Sequence, residues 1–137
     1  MDNTLELISL LPVRLAFEGW ASTQILPQSY ITDDEDFLLV WEQSYSFEAN
    51  SWLNQHNDTS HSCTCCLTSG YYSGWIGRVL GVPVVAAEIS CRARGDSVCR
   101  FIMSAPSSLE IYLKAYSQKN PQKITEVRNY RSTAQSC

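Results

Sequence analysis

Residues 65–101 read CCLTSGYYSGWIGRVLGVPVVAAEISCRARGDSVCRF. Gly70, Gly74, Gly77 and Gly81 recur at spacings of four, three and four. That period predicts a helix over 63–80 whose glycine stripe lies close to a sheet or to another helix, since glycine otherwise weakens a helix interior. Val82-Pro83 leads into the β-branched run Val84–Ile89, which reads as a buried strand. Gly95-Asp96 is a turn signal, and 98–103 reads as the return strand.

If that hairpin turns about Gly95, Cys91 and Cys99 face each other across it, with Cβ atoms about 4.5–5.5 Å apart. Both sulfurs then reach one metal. Glu88 lies three residues before Cys91, which in an ideal strand puts it on the opposite face. A bulge or the strand end has to redirect one of them. Cys65, at the start of the glycine-rich helix, supplies a fourth ligand once that helix packs on the hairpin. Cys63 and Cys66 stand close enough to take its place. Zinc favours four-coordination by thiolate and carboxylate and is the natural candidate. Such a closed site leaves no position for a substrate, so the metal is structural. Cysteine is also a common small core residue, and Cys91 and Cys99 could equally pair or stay reduced.

Working outward, 37–48 alternates. Phe37, Leu39, Trp41, Tyr45 and Phe47 share one face of a strand, and Glu42, Ser44, Ser46 and Glu48 the other. Residues 3–20 read as a helix with Leu7, Leu10, Leu11, Leu15 and Phe17 on its apolar face and Pro12 as an irregularity. Residues 54–62 are a polar loop containing His56 and His61. The acidic run 33–36 is solvated. A last helix starts at Pro106 and runs to about Lys119 before Asn120-Pro121 stops it. One domain over 1–119 and a polar tail over 120–137 follow. The fold class is α+β, an antiparallel sheet with packed helices.

Composition narrows the function. Hydrophobic residues are 45% and charged residues 18%, the balance of a folded domain and not of a disordered chain. The net charge is -4 with no block of Lys or Arg, so no direct nucleic-acid contact is expected. No apolar run approaches the roughly 18 residues of a membrane span. Asp2 and Glu6 stand where a signal peptide would be basic. Six cysteines without an export signal suggest a reducing, cytoplasmic setting, where Asn57-Asp58-Thr59 is an idle sequon. GxSxG, HExxH and the phosphate-binding loop are missing, so the chain does not read as an enzyme.

The motifs together resemble the 4-vinyl reductase domain, most closely the aromatic-sensing regions of phenol- and xylene-responsive sigma-54 activators. The resemblance rests on Trp41-Glu42-Gln43-Ser44-Tyr45, Cys65, Ser69-Gly70-Tyr71, Ser73-Gly74, Glu88-Ile89-Ser90-Cys91, Gly95-Asp96 and Cys99-Arg100-Phe101. It covers about 37–116, more loosely 5–20. It implies a structural zinc on Cys65, Glu88, Cys91 and Cys99, beside a buried pocket for a small hydrophobic or aromatic molecule, and a homodimer. It also implies that Trp41 faces the ligand, with Trp75, Ala86 and Phe101 as pocket walls. Glu18, in Phe17-Glu18-Gly19, stands where those sensors carry a histidine that orients the phenol hydroxyl. Two other readings remain: a tetrapyrrole-related vinyl reductase or its accessory, and an interaction module of trafficking-subunit-like fold.

Overall fold

The structure, a computed structural model, describes residues 2–117. The expected tail over 120–137 and the end of the last helix near Lys119 lie outside the described residues. Among the described residues, four helices and four strands follow one another as α1 (Asp2–Phe17), β1 (Ala21–Ile25), β2 (Leu38–Ser46), α2 (Phe47–Gln55), α3 (Cys66–Leu80), β3 (Val85–Ser90), β4 (Cys99–Ser104) and α4 (Leu109–Ser117). The strands form one antiparallel sheet in the order β1-β2-β4-β3. The α+β class expected from the sequence is the one observed.

The sheet is covered on both faces. Leu39 and Trp41 of β2, with Phe101 and Met103 of β4, join Ile8, Leu11 and Leu15 of α1 and Tyr72 and Ile76 of α3 in the larger core. Leu38, Val40 and Ile102 point the other way, toward Tyr112 and Ala115 of α4. Central strands buried on both sides carry apolar residues at consecutive positions. For this reason the simple alternation over 37–48 breaks down at Leu38-Leu39-Val40.

Four details differ from the sequence reading. First, β1 pairs with β2 through a bulge, with Ser22 opposite Tyr45 and Thr23 opposite Gln43. Ser44 is the extra residue. A bulge flips the face of everything beyond it, so Tyr45 turns outward and Ser46 is buried. Second, the strand stops at Ser46, and Phe47 opens α2 instead of extending the aromatic row. Third, α1 buries Ile8, Leu11 and Leu15 but leaves Leu7, Leu10 and Phe17 exposed. The helix is apolar on more than one side, and the sequence pattern could not choose between them. It ends at Gly19, which has φ 77° and lets Trp20 N–H reach Leu15 O at 2.9 Å.

The fourth correction concerns the glycine stripe. Only Gly77 marks a close approach, since a Cβ there would lie 3.2 Å from Val82 O. Gly81 ends α3 at φ 71°, and at Gly70 and Gly74 an added Cβ meets nothing within 4 Å.

Candidate metal centre and aromatic core

The start of α3 is held by two carboxylates from different elements. Cys65 occupies the N-cap position without a side-chain cap of its own. Glu48, in the first turn of α2, supplies the missing acceptor. Its Oε2 takes Leu67 N–H at 3.0 Å, and its Oε1 takes Thr68 N–H and Thr68 Oγ1–H at 2.6 Å each. On the other side, Cys65 N–H donates to Glu88 Oε1 at 2.9 Å. Orphan helix-start donors are matched to negative charge, and Cys65 is thereby fixed in place.

The hairpin presents the other donors. Register runs Glu88↔Phe101 and then Ser90↔Arg100, so Ile89 is an inserted residue. This is the bulge that the Glu88–Cys91 spacing demanded, and it turns both residues to one face. One step beyond Ser90↔Arg100, Cys91 comes opposite Cys99. The reversal between them is a single 3-10 turn, Arg92–Arg94, ending at Gly95 with φ 101°. Asp96 closes it, accepting Cys91 N–H at 2.9 Å and the Arg94 guanidinium at 2.8 Å.

Cys65, Glu88, Cys91 and Cys99 therefore converge, each offering a ligand atom within 4.8 Å of the others. Cys65 Sγ lies 4.0 Å from Cys91 Sγ and 3.9 Å from Cys99 Sγ. Around a tetrahedral zinc with bonds of about 2.3 Å, neighbouring sulfurs are about 3.8 Å apart. Glu88 Oε2 is buried with no hydrogen-bond partner, while Oε1 is already engaged. A free buried carboxylate oxygen beside three thiols is a donor set that could hold a divalent metal ion, and one that zinc accepts. Of the three neighbouring cysteines, Cys65 joins the cluster. Cys63 is half-buried and Cys66 exposed, and both line an open groove of about 430 Å³ along α3 and β3.

The protonation of the group follows from its crowding. Sulfhydryls of Cys65 and Cys99 bonding to Cys91 hold the Cys91 thiol far below its usual range. The Cys65 thiol is pushed far up by its bonds to Cys91 and Cys99 and then by burial. For Cys99 the bond to Cys65 pulls down, but the bond to Cys91 and burial outweigh it, to about 12. Burial drives the Glu88 carboxyl up to about 7. A divalent cation would displace these protons, because only the deprotonated groups coordinate.

The expected ligand-facing residues do not come together in one place. Trp41 and Phe101 meet in the core, where the Trp41 indole lies between two nearly parallel rings. Tyr72 is 4.5 Å away at 9°, and Phe101 4.9 Å away at 6°. Beside this stack runs a buried polar chain that the sequence did not reveal. Gln43 Nε2–H donates to Thr23 Oγ1 at 3.2 Å, and Thr23 Oγ1 lies 2.9 Å from Tyr72 Oη. Trp41 Nε1 and Gln43 Oε1 are buried without partners. Trp75 packs at the edge of the core with its own buried Nε1 unpaired, near Arg14. Ala86 lines the groove beside Cys65 and Glu88. Glu18 is on the surface, ion-paired with Arg14 at 3.1 Å, and does not enter the stack. Among the described residues no helix is long and apolar enough to cross a membrane.

No protein-family profile matches the chain, and no curated protein matches it either. A solved structure does: the phenol-responsive sensory domain of the transcription activator PoxR, determined with phenol. The TM-score is 0.66 at 18% sequence identity, over 77% of this chain and 55% of that one. The likeness is one of fold, and the chain spans little more than half of its solved neighbour.

Proposed function

We propose that this chain is a 4-vinyl-reductase-like sensor domain that binds a small aromatic molecule and carries a structural zinc. The observation that carries the ligand reading is a pair of buried, unpartnered polar atoms two residues apart on β2, the Trp41 indole N–H without an acceptor and Gln43 Oε1 without a donor. Unmatched buried polar atoms are costly, about 1–3 kcal/mol each, and call for an explanation. A flat molecule with a hydroxyl or similar group supplies both an acceptor and a donor. Its ring matches in kind the stack of Tyr72, Trp41 and Phe101, which would have to part to admit it. The likeness in fold to a domain solved with phenol supports the same class of ligand.

Cys65, Glu88, Cys91 and Cys99 hold the zinc in this reading and tie the start of α3 to the β3–β4 hairpin. Tyr72, one of the stacked rings, lies on that helix, so the metal centre and the stack share a support. The domain works as a homodimer and makes no direct contact with nucleic acid. Tryptophan fluorescence titrated with phenols, unsubstituted arenes and longer apolar compounds is the direct test. Saturable quenching by phenols is expected, with weaker response to arenes of the same size. No response to any of them overturns the ligand reading.

A further inference from the structure

Among the described residues, a groove of about 670 Å³ opens between α4 and the β3–β4 hairpin, on the face of the sheet opposite the aromatic stack. Ile89, Leu113 and Tyr116 are half-buried against the smaller core and give it apolar walls. Arg94 and Arg100 border it, against one carboxylate, Asp96. Asp96 Oδ2 is already engaged by Cys91 N–H and by the Arg94 guanidinium. Glu42, which accepts from Arg100, is not part of the groove wall. The rim is therefore cationic while the walls are apolar.

Both guanidiniums are held in place. Arg94 engages Asp96 through Nε and Nη2, and Arg100 engages Glu42 through the same two nitrogens. The Arg100 guanidinium also lies over the Tyr116 ring, 5.6 Å from its centroid. A guanidinium has five N–H donors. In each arginine the Nη1 edge takes no part in these pairs and can meet a second oxyanion. We propose that this groove is a second binding site, for an aromatic carboxylate, with the carboxylate on Arg94 and Arg100 and the ring against Ile89, Leu113 and Tyr116. Apolar walls with a few convergent polar groups are the usual make-up of a small-molecule site. Guanidiniums already held by carboxylates lose little freedom on binding. The site lies across the sheet from Trp41 and Phe101 and uses none of the residues of the reading above.

The experiment is calorimetric titration of the full chain with naphthoate and with the uncharged naphthalenemethanol. One site per chain is expected, with the acid bound about tenfold more tightly than the alcohol and losing that advantage as salt rises. Saturating phenol should leave the affinity for the acid unchanged. Arg94→Gln should weaken the acid about fivefold or more and spare the alcohol. Leu113→Glu, which sets a carboxylate in the apolar wall, should abolish binding of the acid. Melting curves of both variants show whether the fold is kept, and the salt dependence needs no variant at all. Residues 118–137 are present in the full chain, and a groove that they fill would show as no binding. No binding of the acid, equal affinity for acid and alcohol, displacement by phenol, or an Arg94→Gln chain that binds the acid as wild type does overturns the proposal.

Discussion

Trp41 and Phe101 lie directly opposite each other on β2 and β4, with ring centroids 4.9 Å apart and planes 6° from parallel. Tyr72 of α3 covers the other face of the indole at 4.5 Å. Each such pair contributes about 0.5–1.5 kcal/mol beyond burial. The stack joins the middle of the sheet to the helix that Cys65 precedes as N-cap.

Trp41→Phe keeps a flat ring in the stack but removes the indole N–H together with part of the ring at a fully buried position, a packing loss that both ligand classes share. Hydroxyl-bearing aromatics should then bind about fivefold to tenfold more weakly, the worth of one hydrogen bond. Unsubstituted arenes should show only the smaller loss that comes from packing. Isothermal titration against both classes checks this, and an equal loss for the two would assign Trp41 a packing role alone.

The metal centre predicts near-stoichiometric zinc in protein purified without added metal, measured by elemental analysis. Structural zinc in small domains contributes apparent binding free energies of about 10–16 kcal/mol. Cys91→Ser and Cys99→Ser should therefore give insoluble or strongly destabilised protein. Cys66→Ser should melt like wild type, because that side chain is exposed and outside the cluster. Three variants with the same melting behaviour would remove the assignment.

Glu48→Ala deletes the acceptor of three bonds at the start of α3. A cap of this kind is worth about 1–2 kcal/mol, and thermal or denaturant melts should show that loss. Zinc content should persist with lower affinity, since the helix turn that follows Cys65 loses its cap while the Cys65–Glu88 bond remains.

Without metal, the Glu88 carboxyl is held at about 7 by burial, against an ordinary value of 4.5. The folded state thus favours the protonated form. That stability is fully present below the ordinary value and is lost as pH rises through about 7. Chelated protein should melt progressively lower between those limits, and Glu88→Gln should flatten the slope. Zinc-loaded protein should show the opposite trend, because raising the pH helps remove the protons that the metal displaces.

The glycines of α3 make a paired test. Gly74→Ala adds a methyl into open space and should stabilise by about 0.5–1 kcal/mol. Gly77→Ala sets its Cβ at 3.2 Å from Val82 O, a backbone atom with little room to give. It should lose that gain or destabilise, as melting curves would report.

Much of the centre was legible in the residues. The Cys91–Cys99 spacing around Gly95 and the demand for a bulge between Glu88 and Cys91 are local consequences of strand geometry, and both are present. The glycine-rich helix was legible from its period, though not the reason for each glycine. Less visible were β1 and α2. Ala21–Ile25 has too few apolar positions to set a strand period, and Phe47–Gln55 mixes weak helix formers with polar residues.

What the sequence determined by itself is therefore what neighbours along the chain impose: hairpin, turn, helix period and donor types. The three-dimensional arrangement decided the rest. It brought in Cys65 and not Cys63 or Cys66, with Glu88 accepting Cys65 N–H and Glu48 capping Leu67 and Thr68 in the turn that follows, two carboxylates distant in sequence. It turned Tyr45 outward through a bulge set by pairing with β1. It took Glu18 away from the aromatic stack and left Phe17 in the open. These outcomes depend on which elements meet, and contacts between distant segments leave no period in the chain that forms them.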